Sequence, residues 1–242
     1  MIQIRDSYRT VAKRYEQIRL KKQKKTGQSV GKVRLTQSSL LLLQPILATT
    51  DKYRFPVLDN DTQSPILPEE IRLNSNDEFV SYDIGYYIVA DTVQDSTPAI
   101  SGGMTFWSYA PMELTSAFAV YVKAWMASLE ILVNKISRMD KWDMKKHNVT
   151  PRTQFKSSSV ALPGATQPSQ DFTTDGTVPE QPMIVLSGSR KNDLLLTLRG
   201  GAIPTGIVGV WTPPTTNTIT FTVNKLALIF RGMLAQNASI FQ

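Results

Sequence analysis

Apolar and polar positions change their rhythm along this chain. From Asp6 to about Lys25 the apolar residues Tyr8, Val11, Tyr15 and Ile18 recur at helical spacing, with Gly27 beyond the last turn, which predicts a helix. Its apolar stripe is narrow. Such a helix frays in water unless it docks on a neighbour or on a polyanion. Gln28 to Ser39, with Gly31, reads as a tether into the rest of the chain. Beyond it the rhythm is that of strands: Lys52–Leu58, Glu78–Val93, Met104–Tyr109, Met183–Leu186, Asp193–Arg199, Ile207–Trp211 and Thr218–Arg231. In Asp193–Arg199, Leu194, Leu196 and Leu198 alternate with polar residues, the mark of a sheet with one buried face. Ile219, Phe221 and Val223 share one parity and Leu226, Leu228 and Phe230 the other, so a bulge or turn near Asn224 and Lys225 must reset the register. Gly85 suggests a further bulge or bend.

One internal helix interrupts the strands. Leu114, Ala117, Phe118, Tyr121, Val122 and Trp125 hold helical spacing behind Pro111 and Glu113, and alternation returns at Leu129, Ile131 and Val133, so the helix ends near Met126. Two stretches read as loops: Asp59–Pro68, and a long one, Lys156–Pro182, rich in proline, serine and threonine. No internal repeat is visible. Many strands with a single internal helix exclude a parallel α/β sheet, which needs a helix between successive strands, and favour an antiparallel β-sandwich. Among sandwiches, a jelly roll accommodates a body of this length with elaborate loops.

Composition adds a sharp asymmetry. The chain has 242 residues and a net charge of +7, yet residues 1–34 hold eleven Lys or Arg against Asp6 and Glu16, a balance of +9, and the remainder sums to −2. Two segments follow: a basic N-terminal arm, 1–34, helical or extended, and a body, 35–242. The cations are Arg5, Arg9, Lys13, Arg14, Arg19, Lys21, Lys22, Lys24, Lys25, Lys32 and Arg34. Buried unpaired ammonium groups cost several kcal/mol each, so these side chains face water or an anionic partner. Sequence-independent neutralisation of nucleic-acid phosphates, driven by counterion release, is the function that fits them. A solvated helix that aids solubility is the plainer alternative. An anionic lipid surface demands a broader apolar face than this helix has.

Chemistry is scarce elsewhere. With no cysteine, disulfides, thiolate catalysis and cysteine-ligated metals are excluded. His147 is the one histidine; it could act as a base with Asp140 or Asp143, but a lone histidine at the end of an element reads as surface. Asp59, Asp61 and Glu70 fall at positions 1, 3 and 12 of a calcium loop. Ser64 then stands where glycine is required and Pro65 and Pro68 obstruct the turn, so a polar turn is the reading, with calcium between adjacent subunits as its alternative. Glu69 and Glu70 read as a solvated pair. LSGSRKND around Gly188 lacks phosphate-loop spacing and reads as a turn between strands, and Phe106, Trp107 and Tyr109 read as core. No catalytic residue, metal, cofactor or small-molecule substrate is expected. The most apolar stretch, Leu114–Val133, is broken by Lys123 and Glu130, so no membrane span is expected, and no secretory signal is visible.

The basic arm, the β-rich body, the long polar loops and the closing segment KLALIFRGMLAQNASIF together resemble icosahedral virus coat proteins of the jelly-roll class. RFPVLDND, PEEIRLNSNDEFVSYDIGYYI and IVLSGSRKNDLLLTL are similar to segments of bacteriophage virion structural proteins. The chain is too short for the larger double jelly roll. The resemblance implies a non-enzymatic capsid subunit, assembled in the host cytoplasm into an icosahedral shell, with copies of itself and other virion proteins as partners and packaged nucleic acid held by the arm. A cellular sequence-independent nucleic-acid-binding protein with a β scaffold is the competing class, and a carbohydrate-active sandwich the third.

Overall fold

The computed structural model describes residues 2–26, 33–61, 66–94, 100–112, 115–149, 177–211 and 218–238. Helix α1 (Ile2–Thr26) is followed by strands β1 (Arg34–Pro45), β2 (Lys52–Phe55), β3 (Glu78–Gln94) and β4 (Ile100–Trp107). A 3-10 helix, η1 (Ser116–Trp125), leads to β5 (Ala127–Val133) and β6 (Ile136–Asp143). A short 3-10 turn, η2 (Met144–His147), precedes β7 (Thr177–Ser187), β8 (Asn192–Leu198), β9 (Ile207–Trp211) and β10 (Ile219–Gln236).

Two antiparallel sheets result. In the larger, β10 and β3 form the central pair. Each long strand is flanked by two shorter ones in tandem: β10 by β1 along Lys225–Gln236 and β9 along Ile219–Val223, and β3 by β7 along Glu78–Gly85 and β4 along Ile88–Gln94. The smaller sheet runs β2-β8-β5-β6. The pairs β1 with β10, β2 with β8, β3 with β7 and β5 with β6 are nested in sequence and alternate between the sheets. A single long hairpin folded across both layers has this order.

The core lies between the sheets, because alternate residues of each strand face inward. Leu129 and Ile131 on β5 and Leu194, Leu196 and Leu198 on β8 meet Leu42, Tyr86, Ile88, Leu228 and Phe230 of the larger sheet. An aromatic cluster closes one end, with the Trp107 ring 5.4 Å from Phe221 and 6.0 Å from Phe118. Two bulges keep this face apolar. Asn224 is the extra residue in β10, where pairing steps from Val223–Ala90 to Lys225–Val89, so Phe221, Val223, Leu226 and Leu228 are all buried despite their mixed parity. Tyr82 is the extra residue in β3, so that Phe79 and Ile84 both point inward. Beside it Gly232 has no room for a side chain, since a Cβ would run into the Val80 carbonyl oxygen and the Phe79 ring.

Several expectations are met: the mainly β architecture in antiparallel sheets, the reset at Asn224, the alternation of β5 and β8, and the bounds of β9. Others are corrected. The stretch expected to tether the arm enters β1, whose run Leu40–Leu43 is buried from both faces and therefore shows no alternation. The edge strand β6 was missed because most of its residues are exposed. The internal helix is 3-10, with Thr115 as its cap, so Phe118, Tyr121 and Ala124 are buried at three-residue spacing and Val122 points to solvent. Gly85 marks no bulge; the Tyr87 ring lies across it, 2.7 Å from where a Cβ would stand. Of the long loop expected at 156–182, residues 177–182 belong to β7 and the remainder lies outside the described residues.

Replacing Gly232 by alanine is expected to destabilise the protein by about 1 to 3 kcal/mol through overpacking, read as a lower urea midpoint. Gly103→Ala, where the new methyl would meet Thr92 at an ordinary 3.5 Å, should leave stability within about 0.5 kcal/mol of the parent.

Candidate nucleic-acid interface

Where the helical arm goes is decided by two side chains. Val11 and Tyr15 are buried against Val80, Met233, Ala235 and Ala238 on the outer face of the larger sheet, with Met183 and Val185 of β7 alongside. The Tyr15 hydroxyl donates to Glu78 Oε2 at 2.6 Å, and both side chains are buried. Burial, and then the Glu78 charge, push the Tyr15 phenol well above its ordinary range, so it stays a donor at any physiological pH. The helix is thus docked on its own sheet and is no free tether, which corrects the picture of an arm reaching away from the body. Its narrow stripe needed a neighbour, and the bulge at Tyr82 supplies one by turning Glu78 and Val80 outward.

Docking leaves the charge in water. Arg9, Lys13, Arg14, Lys21 and Lys24 are exposed, as is Arg34 at the start of β1. By helical periodicity Arg9, Lys13 and Lys24 lie opposite the docked seam and Arg14 and Lys21 on its flank. Arg5, Arg19, Lys22 and Lys25 belong to α1, but their side chains, with those of Tyr8 and Ile18, lie outside the described ones, as does Lys32 altogether. Five of the expected cations, Arg9, Lys13, Arg14, Lys21 and Lys24, are therefore gathered on one side of the molecule as an exposed ridge, while Arg34, between Val33 and Leu35 that pack toward the helix, falls on the opposite face of β1. Further along the same sheet face, charges are matched: Lys225 Nζ meets Asp91 Oδ1 at 2.5 Å, and Arg231 faces Asp83 in register across the strands. Burial raises the Asp83 carboxyl above its ordinary value of 3.8 in spite of the opposing pull of Arg231.

The other candidates resolve into structure. His147 is buried, against expectation, and its Nε2 accepts from Trp142 Nε1 at 3.0 Å, which places its own proton on Nδ1 when neutral. A ring so enclosed has no access to substrate. Glu70 is also buried, not solvated: its carboxylate accepts from the Leu43 and Leu67 amides, each at 2.9 Å, and pairs with Arg72 at 2.6 Å. It pins the 66–72 segment to β1 and is unavailable to a cation. Glu69 is exposed as expected. Asp61 pairs with Arg54 and Asp59 accepts from Asn74, while residues 62–65 lie outside the described ones. Among the described residues no group of three or more His, Asp or Glu side chains is placed to hold a metal, and no helix is long and apolar enough to cross a membrane. Gly188 sits in the turn between β7 and β8, with its amide donating to the Asp77 carbonyl.

One cationic surface was missed. Lys135, Arg138, Lys141, Lys145 and Lys146, on β6 and η2 and the turn before them, are all exposed. Their signal stood in NKISRMDKWDMKKH, masked in sequence by the near-neutral average of the body. No protein-family model, curated protein or solved structure matches the chain.

Tyr15→Phe should weaken helix docking by about 1.5 to 3 kcal/mol, because it leaves the buried Glu78 carboxylate short of a donor. Faster amide exchange confined to α1, with an unchanged core, is the readout. Asp83→Asn tests the outer face by pH. A raised carboxyl pKa contributes stability that is complete below pH 3.8 and is lost as pH climbs through the folded value. The variant should therefore be more stable than the parent at pH 7, with the difference vanishing in acid.

Proposed function

We propose that this protein is a virion structural protein, a capsid subunit that assembles with its own copies into an icosahedral shell and contacts packaged nucleic acid through α1. The observation that carries the reading is the nested strand order alternating between two sheets, together with a cationic helix laid on one outer face. Nested antiparallel pairs of this kind are what a jelly roll consists of, and viral shells are among its common uses. Fold alone does not specify function, so the charge carries the second half of the argument. Cations on one face of a tile otherwise close to neutral suit a shell whose two surfaces meet different media.

Self-association has its own support. β9 is an edge strand with no charged residue, and Val208 and Val210 on it are about half exposed, at 49% and 51%. Val93 is exposed on the same face, two strands across, in register through Thr220. An uncharged edge of this sort, uncovered by a further strand among the described residues, invites contact with another chain. A shell repeats such a contact many times, so each one need bury only a modest area.

Electron microscopy of the expressed protein should show closed particles, and small soluble oligomers would instead favour the cellular nucleic-acid-binding class. Binding to an oligonucleotide should be independent of sequence. With about six to ten phosphates engaged, affinity should fall by roughly 10³ to 10⁵ between about 50 and 200 mM salt. Replacing Arg9, Lys13, Arg14, Lys21 and Lys24 by glutamine should flatten that dependence; a steep slope surviving the change would remove α1 from the interface.

A further inference from the structure

The edge formed by β6 and η2 differs from the rest of its sheet in how its charges are matched. On neighbouring strands, Arg54 bridges Asp61 and Asp193, and Lys191 reaches Asp193 at 3.2 Å. Lys135, Arg138, Lys141, Lys145 and Lys146 make no ion pair among the described residues. Only two carboxylates share the stretch, and Asp143 is engaged as the cap of η2, accepting from the Lys145 amide at 3.1 Å. Two of these residues are also constrained. Lys146 Nζ stands 4.1 Å from the centre of the Trp142 ring, and that indole is in turn fixed by the buried His147. Lys141 takes a left-handed backbone conformation, φ 47°, at the irregularity where β6 slips against β5, a geometry that a non-glycine residue adopts at a cost.

We propose that this edge is a second contact surface for nucleic-acid phosphates, used together with α1; the inference rests on the reading of α1 as the first. Charge on an edge strand has another use, which is to prevent pairing with other chains. That use accounts for Arg138 and Lys141. It leaves Lys145 and Lys146 unexplained, since they lie past the strand on η2, where there is no edge to protect. Position joins the two surfaces: Met183 and Val185 of β7 pack toward α1, and η2 packs against β7 from its other side. A phosphate chain crossing β7 would meet both. The interaction would be electrostatic, with lysines contacting phosphates whatever the sequence.

Binding of the full chain to a fluorescently labelled oligothymidylate, followed by anisotropy across a salt series, tests this. Arg138→Gln/Lys141→Gln/Lys145→Gln/Lys146→Gln should lower the salt slope by about 0.7 for each phosphate no longer neutralised, and weaken binding at least about tenfold near 100 mM salt. Arg138→Gln/Lys145→Gln, which spares both the Trp142 stack and the strained Lys141, should give a proportionate part of that change with an unaltered urea midpoint. An unchanged slope in these variants, beside a flattened one in the α1 variant, overturns the second surface and leaves the α1 reading standing. Reduced solubility with unchanged binding overturns it in favour of edge protection. Failure to form particles with unchanged binding overturns it in favour of an acidic surface on a neighbouring copy. A parent chain that does not bind the oligonucleotide overturns both readings.

Discussion

The antiparallel pairing of β3 with β10 is the constraint on which the rest of this molecule depends. Each strand supplies one wall of the central ladder and also the template for two shorter strands, so four flanking strands take their register from it. The side-chain period of a strand is two, and a slip of one residue would exchange the faces along its whole length. Tyr82 and Asn224 are the places where that exchange is made locally. On one side of each bulge the core face carries one parity, and on the other side the opposite parity. Without them Phe221 and Phe230 could not both be buried, and Phe79 and Ile84 could not both point inward.

The outer face of the same sheet then sets the electrostatics. Among the described side chains of α1, Val11 and Tyr15 are buried against the sheet, and Tyr15 adds its hydrogen bond to Glu78. Because the seam is narrow, Arg9, Lys13, Arg14, Lys21 and Lys24 are left exposed to water. The sheet beneath shows the contrasting solution, in which Lys225 and Asp91 neutralise each other locally. Fixed on a rigid layer, the cations form a ridge with a definite position on the molecule. In the proposed contact with a polyanion, the cations would thus be organised before binding instead of being carried on a mobile tether. A preorganised surface gives up less conformational freedom on binding.

Buried polar groups mark where the body is tied together. Glu70 and Arg72 form an ion pair with side-chain exposures of 0% and 1%, an arrangement that is costly to break from either side. It anchors the 66–72 segment, whose backbone also bridges β1 at Leu41 and Ile71. Trp142 and His147 do the same for η2. Of these, Glu70 and His147 looked like candidates for chemistry because carboxylates and imidazoles are groups that catalyse and bind metals. In the folded chain they serve instead to satisfy one another where water is excluded.

Much of this was legible beforehand wherever one residue's environment depends on its sequence neighbours. The alternation in β8, the parity change near Asn224 and the segregation of positive charge to the first 34 residues are local quantities, and composition and periodicity alone determined them. Where a residue's fate depends on groups distant in sequence, tertiary structure decided. Leu40–Leu43 shows no alternation because both faces are covered, and Glu70 was desolvated by β1. Tyr15 found Glu78 sixty-three positions away, which turned an apparent tether into a docked helix. The physical reason is the same in each case: hydrophobic period and charge density belong to the chain, whereas desolvation and hydrogen-bond partnership belong to the space that the fold brings together.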